Sequence, residues 1–207
     1  ISHGHFIDVF PNETSTAEAR DRLGIPKDAF VYLYFGNARA YKGIESLIEA
    51  FTQIDDEKAR LVLMMRNEFD PAYADTVIAR AGGDERVLVY TSSFFPEEDF
   101  QFYLNTGDIG VFPFSDVMTS GSTISGLGFG LPAIVPRLGC LTELIDDTCG
   151  LTYDAADPEG LAGALRAVRD LDIDALKRGA RARAESLDWK MIARKTAEVY
   201  TGRVASP

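Results

Sequence analysis

The stretch Phe30-Val31-Tyr32-Leu33-Tyr34-Phe35-Gly36-Asn37-Ala38-Arg39-Ala40-Tyr41-Lys42-Gly43-Ile44-Glu45-Ser46-Leu47-Ile48-Glu49-Ala50-Phe51 divides into three parts. Its first six residues form an unbroken apolar run, the pattern of a strand covered on both faces. A glycine-bracketed loop with two cations follows. Ile44, Leu47, Ile48 and Phe51 then repeat at i, i+3, i+4 and i+7, which marks one face of a helix. Strand, loop and helix in that order form the repeating unit of a parallel sheet.

The pattern recurs outward from there. Further apolar runs lie at Arg60 to Met65, Val87 to Tyr90, Asp108 to Phe112, Ala133 to Val135 and a short Gly150 to Tyr153, with helical patterns among them. This order predicts an α/β fold, a doubly wound, Rossmann-like parallel sheet of about six strands. Asp157 and Pro158 read as the cap and first residue of a helix with Leu161, Leu165 and Val168 on its buried stripe and Leu171 at its end. Asp188 reads as the cap of the last helix, where Trp189, Ile192, Ala193, Thr196 and Tyr200 fall on or near one face. That face suits either the domain's own sheet or a partner domain. The end from Gly202 to Pro207 reads as frayed.

Composition sets the outer limits. A chain of 207 residues buries roughly 70% of its unfolded surface and needs no disulfide or metal to be stable. Hydrophobic residues at 46% and charged residues at 26% fit a soluble protein, and no stretch approaches the roughly 20 apolar residues of a membrane span. Nothing reads as a signal peptide, and Ile1 in place of Met reads as a fragment or processed chain. A net charge of −11 argues against nucleic acid or an anionic membrane as partner. Cys140 and Cys149 read as free thiols in a reducing cytosol. No metal site is expected, and His3 and His5 read as structural.

Ligands of such sheets bind beyond the carboxyl ends of the strands, so the segments there carry the functional reading. In Gly36 to Gly43, Arg39 can grip phosphate oxygens in a fork while Lys42 acts as a mobile point charge, ahead of a helix start with free N–H groups. The alternative is a pair of solvated surface cations. Thr119, Ser120, Gly121 and Ser122 precede a helix expected from about Thr123 to Phe129 and could cradle a pyrophosphate, or simply cap that helix. Pro136 to Glu143 gives a third loop, in which Glu143 is also suited to answering a helix dipole. Arg66 and Asn67, directly after the second run, read as part of the rim. The acidic pairs Glu97–Glu98 and Asp146–Asp147 read as answers to helix dipoles. Neither the ATPase phosphate loop nor the dinucleotide fingerprint is present.

Taken together, His3-Gly4-His5, Ala19-Arg20, Leu23-Gly24-Ile25-Pro26, the loop Gly36 to Gly43 and the helix Ile44 to Phe51 resemble the opening of the donor domain in family 4 glycosyltransferases of the GT-B type. Asp108 to Pro113, Thr119-Ser120-Gly121-Ser122, Gly130-Leu131-Pro132-Ala133-Ile134-Val135 and Gly139 with Glu143 match that domain's later signposts in order. The resemblance implies one half of a GT-B fold, residues 1–207 being the C-terminal domain that binds a nucleotide sugar. An N-terminal domain, not in this chain, would bind the acceptor and carry the catalytic machinery. Arg39 and Lys42 would then contact the diphosphate without a metal, and the turn Thr119 to Ser122 would add amide donors.

Departures from the family pattern accompany the likeness. Family members often carry two glutamates eight positions apart, for the donor sugar and the nucleotide ribose; Val117 and Ser125 stand there, with Ser125 able to reach the ribose. Asn37 stands where an arginine is common, with Arg39 as the substitute. The Thr-Ser-Gly-Ser turn resembles a bacterial subgroup of exopolysaccharide assembly. The expectation is therefore a donor-binding domain for a GDP- or UDP-linked sugar and a saccharide or lipid-linked acceptor. It has no cofactor and no catalytic residue of its own, and it is inactive alone. It is expected in the cytoplasm, reaching the inner face of the membrane only through the missing domain. The rivals are a degenerate domain kept for assembly or regulation and half of a sugar-nucleotide epimerase.

Overall fold

The structure, a computed structural model, describes residues 1–202; of the expected frayed end, residues 203–207 lie outside the described part. In chain order the elements are α1 (Thr16–Leu23), β1 (Phe30–Asn37), α2 (Ile44–Thr52), β2 (Ala59–Arg66), α3 (Pro71–Ala81), β3 (Val87–Ser92), α4 (Phe100–Leu104), β4 (Ile109–Val111), α5 (Gly121–Gly128), β5 (Ala133–Pro136), α6 (Leu141–Leu144), β6 (Gly150–Tyr153), α7 (Gly160–Ala167), α8 (Ile173–Glu185) and α9 (Trp189–Tyr200). All strand pairings are parallel, in the order β3-β2-β1-β4-β5-β6. This is the expected doubly wound sheet. Strand order reverses between β1 and β4, which opens a crevice beyond their carboxyl ends.

The apolar runs become strands because helices cover both faces. Val31 to Phe35 and Leu61 to Met65 are buried throughout, whereas an amphipathic strand would alternate. β1 ends two residues later than the run suggested, since the register continues through Gly36↔Met65 and Asn37↔Arg66. Tyr32, a tyrosine in the core, donates from its hydroxyl to Leu165 O at 2.7 Å and so ties β1 to α7. Burial pushes that hydroxyl's pKa up to about 12, which keeps it a donor.

Three local expectations are corrected. The helix expected to start at Pro158 starts at Gly160: Asp157 Oδ1 accepts from Glu159 N at 3.0 Å and so forms a turn of its own. Asp146 likewise accepts from Thr148 N and Oγ1 at 3.0 and 2.5 Å, a turn rather than a reply to a helix dipole. Trp189 packs not on the sheet but on the chain's first residues. Its Nε1 donates to His5 O at 2.8 Å, and His3 sits edge-on to its ring at 5.3 Å. A Cβ at Gly4 would fall 2.3 Å from the indole. Both histidines make local hydrogen bonds, with His5 Nδ1 accepting from Ile7 N at 3.2 Å. Cys140 is exposed, Cys149 is buried, and both are free.

At the amino edge of the sheet a single arginine closes the fold. Arg20, 6% exposed, donates to Thr106 O, Lys27 O and Ala29 O at 2.9–3.1 Å and to Asp108 Oδ2 at 2.8 Å. Asp108 also accepts from Val31 N at 2.8 Å and from Lys177 Nζ at 3.2 Å. Every charge in this cluster has an opposite partner, as burial requires.

Candidate functional site

The loops after β1 and β4 meet at the crevice, and two glycines make the meeting possible. Gly43, at φ 67°, lies so close to the β4 loop that a Cβ would stand 2.0 Å from Pro113 O. Gly36, at φ 148°, would place a Cβ 3.2 Å from Ser122 Oγ and 3.3 Å from the Tyr34 hydroxyl. Only glycine combines these dihedrals with this proximity. Ser115 N donates to Tyr41 O at 2.9 Å, and Tyr34 donates to Asn37 O at 2.9 Å. Burial drives the Tyr34 pKa well above that of a free tyrosine, which holds it as a proton donor to the turn.

Between these loops lies a cavity of about 180 Å³, lined by Phe35, Gly36, Asn37, Lys42, Met64, Arg66, Phe95, Phe100, Ser122 and Ser125. The geometry gathers Gly36, Asn37, Lys42, Arg66, Ser122 and Ser125 out of the sequence candidates. Ser122 and Ser125 are one turn apart on α5 and face the same space. Arg66 comes from the neighbouring strand, directly across from Asn37 in the β1–β2 register. Among the described residues Lys42 has no carboxylate partner. Its ammonium rests 4.6 Å from the centre of the Phe114 ring and 5.1 Å from that of Tyr41. Burial, and then the charge of Arg39, lowers its pKa below that of an ordinary lysine.

The remaining candidates stand elsewhere. Arg39 does not reach the cavity: its guanidinium lies 4.9 Å over the ring of Phe69, which Arg66 also approaches at 5.5 Å. Arg66 is held by Glu68 at 2.6 Å. Ser120 is buried and caps α5, accepting from Thr123 N at 3.1 Å; Gly121 is the first residue of that helix. Thr119 and Glu143 line a separate groove of about 590 Å³ with Met118, Cys140 and Trp189. Its cation, Arg183, is already engaged by the carbonyls of Glu143 and Leu144, so this larger groove is the weaker anion site.

Sequence reasoning passed over Met64, Phe95 and Phe100, which form the apolar wall of the cavity. Phe95-Pro96 lies within a few residues of the end of β3, the position that drew attention after the other strands. It carries no charge or hydroxyl to advertise an anion site, and so its signal was position alone.

Residues 29–170 match the family described as Glycosyl transferases group 1. The chain belongs to the group 1 glycosyl transferases. A D-inositol 3-phosphate glycosyltransferase of Streptosporangium roseum is 27% identical over 219 residues, covering 100% of this chain and 50% of that protein. A glycosyltransferase of Rickettsia africae superposes with a TM-score of 0.80 at 15% identity, over 98% of this chain and 56% of that one. HepE of Anabaena in complex with UDP and glucose does so at 0.77 and 19%, over 97% and 56%. The chain spans about half the length of the curated relatives it matches. The fold is thus the Rossmann-like one of GT-B structures, as the resemblance implied. Among the described residues of this group 1 glycosyl transferase chain, no helix is long and apolar enough to cross a membrane, and no cluster of metal-ligating side chains occurs.

Proposed function

We propose that this chain, residues 1–207, is the donor-binding half of a glycosyltransferase, holding a nucleoside diphosphate sugar in the crevice between the ends of β1 and β4. Transfer to a saccharide or lipid-linked acceptor requires the remainder of a longer protein, which supplies the acceptor site. One observation carries the reading: Lys42 and Arg66 converge on a cavity at the topological switch point that also presents Ser122 and Ser125 near the start of α5. Two cations beside a helix start can neutralise a diphosphate without a metal, and they stabilise it further as it takes on charge on leaving the sugar. The UDP complex of the Anabaena neighbour lends support to a nucleotide in this half.

In this reading Lys42 and Arg66 grip the diphosphate, and Arg39 is an outer cation held back by Phe69. Asn37 and Ser125 face the nucleoside. Ser120 and Gly121 shape the α5 turn, and Thr119 and Glu143 border the acceptor side.

The test is calorimetry of the purified chain with UDP, GDP, ADP and their sugars. Lys42→Ala and Arg66→Ala should each weaken binding about tenfold or more, and Arg39→Ala should weaken it much less. A folded chain that binds none of them would remove the proposal and leave a domain kept for assembly as the better account.

A further inference from the structure

The cavity's lining is of two kinds. Its polar groups are the Asn37 amide, the hydroxyls of Ser122 and Ser125 on α5, and the cations Lys42 and, at the end of β2, Arg66. Its apolar wall is Phe35, Met64, Phe95 and Phe100. Two of these rings are packed on others: Phe10 stacks on Phe100 at 4.9 Å with the planes 5° apart, and Tyr103 meets Phe95 edge-on at 5.4 Å. The wall is therefore preformed for a flat, weakly polar ring.

No carboxylate lines this cavity among the described residues. Nucleotide sites on doubly wound sheets commonly fix the ribose through an Asp or Glu that accepts from its 2′-hydroxyl. Here the side chains available to a sugar are neutral and short, and each can donate as readily as accept. A missing 2′-hydroxyl then strands no buried charge. The same reasoning bears on the base. Guanine brings an exocyclic amino group that needs an acceptor, whereas thymine brings a methyl group that favours apolar contact. Phe95, Phe100 and Met64 offer the second and not the first.

We propose that the cavity takes a pyrimidine nucleoside diphosphate and does not require the ribose 2′-hydroxyl, so that thymidine diphosphate sugars serve as donors alongside uridine diphosphate sugars. This rests on the donor-binding reading given above.

The experiment is titration calorimetry of the full chain with UDP, dUDP, dTDP and GDP. The expected result is dUDP within about threefold of UDP, dTDP equal or tighter, and GDP weaker by about tenfold or more. Ser125→Glu supplies a carboxylate at the sugar and should introduce a preference of about tenfold for UDP over dUDP. UDP binding ten times tighter than dUDP in the unaltered chain, or GDP matching dTDP, overturns the inference while leaving donor binding intact. A folded Ser125→Glu chain without new discrimination overturns the placement of the sugar at Ser125. The wild-type ratios decide the matter even if that variant does not fold. Binding of none of the four nucleotides overturns the donor reading itself, and this inference with it.

Discussion

The two edges of the sheet use the same side chains to opposite ends. At the amino edge Arg20 and Lys177 are matched by Asp108 and by three backbone carbonyls. At the carboxyl edge Lys42 lies against aromatic rings with no carboxylate beside it, and Arg39 is likewise seated on a ring. A half-buried cation without a counter-ion costs stability, and on the donor-binding proposal the diphosphate supplies the missing charge. The completed cluster holds the fold together; the incomplete one is the proposed diphosphate site.

The largest expected effect breaks the completed side. Arg20→Ala removes the donor from three carbonyls and the nearest cation from Asp108, and should cost about 3–5 kcal/mol in urea unfolding, with nucleotide affinity of the folded fraction unchanged. Gly43→Ala should cost about 2–3 kcal/mol, because its Cβ meets Pro113 O in a conformation side chains avoid. That variant links the edges, as it damages fold and site at once. Lys42→Ala should leave stability unchanged or raised while weakening nucleotide binding by about 10- to 100-fold, measured by calorimetry. A Lys42→Ala chain as unstable as Arg20→Ala would erase the contrast.

Smaller effects sharpen it. Lys42 loses its proton at a lower pH than an exposed lysine, because burial and then Arg39 depress its pKa. Nucleotide affinity should fall as pH rises through that depressed pKa, and Lys42→Arg should hold it flat. Stability should move the other way: between the folded and unfolded pKa values the unfolded chain binds the additional proton, so the free energy of unfolding climbs with pH there. The smallest effect belongs to Phe69→Ala, which frees Arg39 and Arg66 from a ring that is 51% exposed. It should change affinity by only about 0.5–1 kcal/mol.

The amino-acid sequence carries the sheet well because strands buried on both faces are spelled as apolar runs, and all six ended within two residues of the run that announced them. It misplaces the start of α7, where Asp157 had two competing uses and the turn won. It cannot carry register: the alignment Asn37↔Arg66 brings Arg66, read from the sequence only as part of the rim, level with Asn37, while Arg39 lies over Phe69. The aromatic wall was hidden for a different reason. Phe95 and Phe100 look like ordinary core residues, and only the cavity beside them separates the two roles.

The clasp of Trp189 over Gly4 has an optical consequence. The chain contains one tryptophan, and that indole is 49% exposed and bonded to the His5 carbonyl. Its emission therefore reports whether the first residues are seated on α9. In a melt its emission should register the release of this strap from α9.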